Sequence, residues 1–105
     1  MKNEYGVVLD RNGYAPSVFG EMERCAVCGR TDRALQRHEP FHGSNRNKSK
    51  NLGCWLLICD LCHAKLHQRD AGLDLRLKQL VQEKAMESYG WSVEDFRKVF
   101  GKSWI

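Results

Sequence analysis

The chain lacks the features that mark several protein classes. Its 105 residues include only two prolines and nine glycines, which excludes a low-complexity or collagen-like chain. The longest unbroken apolar run, Cys54 to Cys59, is far shorter than the roughly 20 residues that cross a bilayer, so no membrane partner is expected. The segment Met1-Lys2-Asn3-Glu4-Tyr5 has no secretory apolar core, which predicts a cytoplasmic protein. Cysteine is present in an odd number, five, which argues against a framework made only of disulfides. A chain this short buries a modest share of its unfolded surface and is a natural candidate for an external staple.

Charge is unevenly placed. The segment from Arg30 to Lys50 holds six basic residues (Arg30, Arg33, Arg37, Arg46, Lys48, Lys50) and two acidic ones (Asp32, Glu39), and so carries the entire net charge of +4. Basic residues spaced by Asn and Ser form the footprint of a phosphate-contacting surface, with Arg37, Arg46, Lys48 and Lys50 as the candidate contacts. A solvated basic loop is the plainer reading of charge alone.

Four of the cysteines form two C-x2-C pairs, Cys25-Ala-Val-Cys28 and Cys59-Asp-Leu-Cys62, separated by 30 residues. Four thiolates at this spacing meet the tetrahedral demand of a structural zinc ion, and a thioredoxin-type redox pair would need only one such motif. Cys54, inside Cys54-Trp55-Leu56-Leu57-Ile58, reads as a small buried hydrophobe.

The expected fold class is α+β, as a single domain. Residues 1–24 read as an N-terminal hairpin, with Tyr5–Leu9 and Tyr14–Phe19 flanking Asp10-Arg11-Asn12-Gly13. Residues 25–70 read as a zinc-braced core: a strand over Ala34–Phe41, a polar loop from Gly43 through Lys50, a buried strand over Trp55–Ile58, and a helix from Asp60. Residues 71–105 carry an amphipathic helix over Leu73–Tyr89, with Leu73, Leu77, Leu80 and Val81 on its apolar stripe and Gly90 closing it. A last helix starts at Ser92, which with Asp95 resembles a capping box, and ends at Gly101. The apolar stripes read as core, or alternatively as a homodimer contact.

All four histidines lie between or just after the cysteine pairs. His63 and His67 are four residues apart, so on a helix both project from one face and can share a metal. His38-Glu39 ends the first strand, which places it across from that helix.

At Cys25-Ala-Val-Cys28, His38-Glu39-Pro40-Phe41-His42-Gly43, Asn45-Arg46 and Cys59-Asp-Leu-Cys62-His63-Ala-Lys-Leu-His67 the chain resembles the HNH endonuclease superfamily. It is more closely similar to short phage and prophage HNH-like proteins with a His-Glu-x-Phe-His-Gly run. The resemblance implies a ββα-metal core braced by the four cysteines and a metal-dependent nuclease that hydrolyses DNA phosphodiesters, in a bacterial host cell. It implies a catalytic divalent ion (Mg2+, Mn2+ or Zn2+) held by His38, His63 and His67, with water activation drawn from His38, Glu39 or His42. The chain departs from the family at Arg37-His38-Glu39, which leaves the base open, and at Cys54, where the family carries an Asn. Asn47 or Asn51 is the candidate to hold the loop in its place. The alternative function is a non-catalytic zinc module that binds nucleic acid or a phage partner.

Overall fold

A computed structural model describes residues 1–105. The architecture is α+β, a two-stranded sheet with four α-helices and one short 3-10 helix. Strand β1 (Leu35–His38) pairs antiparallel with β2 (Leu56–Cys59), with Arg37 opposite Leu57 and His38 opposite Leu56. The 3-10 helix (Gly43–Asn45) and α1 (Arg46–Leu52) connect the strands. Helix α2 (Asp60–His67) leaves β2 directly; α3 (Ala71–Tyr89) and α4 (Val93–Phe100) follow. No helix is long and apolar enough to cross a membrane.

The core is built where the patterns meet. Leu56 and Ile58 on one face of β2 are fully buried, together with Leu77, Val81 and Ala85 from α3 and Phe96 and Phe100 from α4. Phe41, just past β1, enters the same cluster and stacks on Trp104 at 4.7 Å between ring centroids. The ends of α3 and α4 follow local chemistry. The Asp70 side chain accepts from the Leu73 N–H to start α3, and Gly90, at φ 68°, stops it in the left-handed conformation that glycine favours. Ser92 and Asp95 form a reciprocal capping box at the head of α4.

Three local expectations fail for identifiable reasons. The N-terminal hairpin does not form; residues 1–24 contain only an isolated bridge between Lys2 and Val8. Asp10 Oδ1 accepts from the N–H groups of Asn12 and Tyr14, which closes a side-chain-held turn instead of a strand pair. The residues beyond the turn then pair elsewhere, Ala15 N–H to the Lys50 carbonyl and Val18 N–H to the Gly53 carbonyl. Gly53 permits this docking, because its φ is 71° and a Cβ there would collide with the Pro16 carbonyl oxygen.

The expected polar loop from Gly43 to Lys50 is mostly helical. Its sequence lacks an apolar stripe because α1 buries only Ser49 and Leu52. Neither Asn47 nor Asn51 holds this segment through its side chain. Ser49 does so, its buried hydroxyl donating to the Phe41 carbonyl at 2.7 Å, while the Cys54 N–H bonds the Ser49 carbonyl. On α3 the stripe is shifted: Leu80 is exposed and Gln82 is buried, satisfied by the Trp104 N–H and the Ser103 hydroxyl.

Candidate metal centre and its flanking basic face

Two clusters of metal-ligating side chains meet on α2. The first is made of sulfur. Cys25 and Cys28 lie on a turn closed by the Gly29 N–H bonding the Cys25 carbonyl, and Gly29 takes φ 75° there. Cys59 caps α2 and Cys62 occupies its first turn, so the end of β2 and the start of α2 carry the second pair. All four Sγ atoms lie within 4.8 Å of one another, and Cys28 Sγ is 3.7 Å from Cys59 Sγ. A tetrahedral zinc with Zn–S near 2.3 Å separates its sulfurs by about 3.8 Å, so this is a site compatible with structural zinc. Burial alone would raise the Cys25 thiol, but N–H groups of Cys28, Cys59 and Val27 aimed at its sulfur outweigh it and bring the pKa to about 6. Cys54 stands apart as a fully buried thiol pushed up to about 12 by desolvation.

The second cluster is a row of imidazoles. His38 at the end of β1 faces His63 on α2, 5.9 Å between ring centroids, and His63 lies 4.5 Å from His67 one turn later. The histidine pair lies one above the other because residues four apart share a helix face. Burial, then the neighbouring His63, lowers the pKa of His38, which keeps it neutral near pH 7. His38 Nε2 is buried and has no hydrogen-bond partner. These nitrogens are not drawn together as tightly as the sulfurs: only the cysteines bring three or more donor atoms within 4.8 Å.

The other two candidates lie outside this row. His42 is exposed, makes no ring contact with the other imidazoles, and has no side-chain cap bond at the head of the 3-10 helix. Glu39 accepts the Tyr14 hydroxyl and pairs with Arg46 at 3.8 Å. Arg37 stacks over the same Tyr14 ring at 4.2 Å, so Glu39 and Arg37 share one side of the strand while His38 faces the other.

The four predicted cations differ in what they already hold. The Arg37 guanidinium packs against an edge-to-face pair of rings, 4.2 Å from the Tyr14 centroid and 4.7 Å from that of Trp55, with Asp10 at 3.4 Å. Lys50 Nζ sits 4.8 Å from the Tyr14 ring, and Arg46 is exposed. Lys48 donates to the Val99 carbonyl at 2.8 Å and so braces α4 instead of joining this face. Tyr14, Asp10 and Trp55 are the residues that sequence reasoning missed here. Tyr14 and Asp10 lie far ahead of the basic segment and Trp55 beyond it, so no signal in the sequence pointed to them.

Comparison with family models, curated proteins and solved structures finds no match for this chain.

Proposed function

We propose that the protein is an HNH-type, metal-dependent DNA endonuclease or nickase with a ββα-metal core, encoded by a phage or prophage and acting in the bacterial cytoplasm. One observation carries this reading. An antiparallel strand pair runs straight into a helix, and a partly buried histidine at the strand end faces the first of two histidines stacked along that helix. The unpartnered Nε2 of His38 supports metal binding, because a buried imidazole nitrogen without a partner costs stability unless something ligates it.

His38, His63 and His67 would hold the divalent ion. When bound, it would stabilise negative charge on a phosphate oxygen and on the leaving oxygen. The sulfur cluster would hold zinc and fix the start of α2, and with it the position of His63, next to Cys62. Among the candidate bases, the exposed His42 imidazole is free of side-chain partners, and we assign it the proton from water. Glu39, held by Tyr14 and Arg46, is a positioning residue for the basic face in this reading. Arg37, Arg46 and Lys50 would hold the DNA backbone beside it.

Nicking of supercoiled plasmid by the zinc-replete protein tests the proposal, with added Mg2+ or Mn2+ against an EDTA control. Metal-dependent nicking that disappears in His38→Ala and His63→Ala supports it. The second reading, a zinc module that binds DNA without cutting it, draws on the looser spacing of the imidazole nitrogens. Intact plasmid with every ion, together with a clear mobility shift, would establish that reading instead.

A further inference from the structure

A cation that only neutralises phosphate can remain mobile and hydrated, yet Arg37 is fixed. Its guanidinium lies against two rings, and both rings are themselves clamped. The Tyr14 hydroxyl bonds Glu39, and Trp55 Nε1 donates to the Ala15 carbonyl at 2.8 Å. Asp10, whose carboxyl is held below its usual range chiefly by the Tyr14 N–H, anchors one edge of the guanidinium through a single long contact of 3.4 Å. The remaining N–H groups have no protein partner.

Other arginines show that this arrangement is not general. Arg33 is closed off by Asp60, with Nε and Nη2 each 2.6 Å from a carboxylate oxygen. Arg46 has no ring beneath it; it holds a 3.8 Å contact with Glu39 and sits beside the Tyr14 hydroxyl. Beside Arg37, and on the same side as its two rings, there is a cavity of about 290 Å³, walled by Val8, Leu9, Pro16, Tyr14 and Trp55. A phosphate has no use for apolar walls, whereas a base edge, with its C–H and methyl groups, does.

We infer that Arg37 is a specificity-determining residue that reads the O6 and N7 edge of a guanine in a duplex, with Tyr14, Trp55 and Val8 forming the apolar rim that faces the base edges beside it. Two coplanar N–H donors match two acceptors on one base edge, and guanine is the base that presents such a pair in the major groove. The inference rests on the nucleic-acid reading above and adds a base preference to it.

Selection from a randomised duplex pool, followed by titration of defined duplexes, tests it. The wild type should favour guanine at one position. Replacing that guanine by 7-deazaguanine, which lacks the N7 acceptor, should weaken binding about tenfold. In Arg37→Gln, with folding checked by zinc content and melting, the guanine preference at that position should vanish and the 7-deaza substitution should have no effect. If Arg37→Gln instead weakens all duplexes equally and lowers the salt slope by about one, Arg37 is a phosphate contact and the inference falls. Wild-type binding without any guanine preference overturns it as well and leaves the endonuclease proposal standing. A wild type that neither binds nor nicks DNA removes the proposal and this inference together.

Discussion

The two clusters on α2 are neighbours in sequence, Cys62 against His63, yet they are built differently. The sulfurs converge because the tight turn at Cys25–Cys28 meets the junction of β2 and α2, and three of the four are buried. The imidazoles form a row whose spacing is set by strand pairing and helix pitch, ending at the exposed His67. A closed tetrahedral set leaves no position for a substrate and suits a structural ion, whereas an open row leaves one side to solvent. The contrast assigns stability to one cluster and chemistry to the other, and each assignment can be broken.

The largest effect is expected at the sulfurs. Cys59→Ser removes a sulfur ligand that is fully buried in the core at the head of α2. Structural zinc in small domains contributes about 10–16 kcal/mol, as much as the whole stability of a typical domain, so this variant should lose zinc and show no cooperative melt by circular dichroism. A strong chelator should do the same to the wild type. Retention of a wild-type melt after zinc loss would show that the core stands without the cluster.

His38→Ala should separate the clusters. Zinc content should remain one per chain, while metal-dependent nicking should fall by at least about 100-fold, the usual scale for a lost acid–base or ligand group. A fall in zinc content on the same substitution would merge the two sites into one functional unit.

What could be read from the chain follows the range of the interactions involved. The cysteine pairs, the cap at Ser92 and Asp95, and the stops at Gly90 and Gly101 are local, and each acts within a few residues. Helix α2 was legible for the same reason. The Asn-Gly signal near Asp10 failed because a side chain three residues earlier in that turn captured the N–H groups a hairpin needs. Helix α1 was hidden because a short helix that buries one serine and one leucine shows no periodicity. Gln82 and the Tyr14–Arg37–Trp55 cluster depend on partners far away in the chain. No local pattern announces them.

Ser49 tests how far the histidine side depends on a bond that is not a metal ligand. Its hydroxyl holds the Phe41 carbonyl, directly before His42. Ser49→Ala leaves that buried carbonyl without a partner, which costs about 1–3 kcal/mol. Because the bond lies away from the sulfurs, chemical denaturation should show this loss while zinc content stays at the wild-type level. Nicking should also decline if His42 acts as the base, since its segment would no longer be fixed.

The smallest effect is expected far from both clusters, at Asp95. Its carboxyl lies below the ordinary value of 3.8, chiefly because the Ser92 N–H donates to it. A carboxylate with a folded pKa below its unfolded one stabilises the fold above the unfolded value, and that stabilisation disappears as pH falls through the folded one. Wild type should therefore melt slightly above Asp95→Asn at neutral pH, where the cysteine ligands still hold zinc. Equal melting of the two proteins there would mean that the capping box acts through geometry alone, without the charge on Asp95.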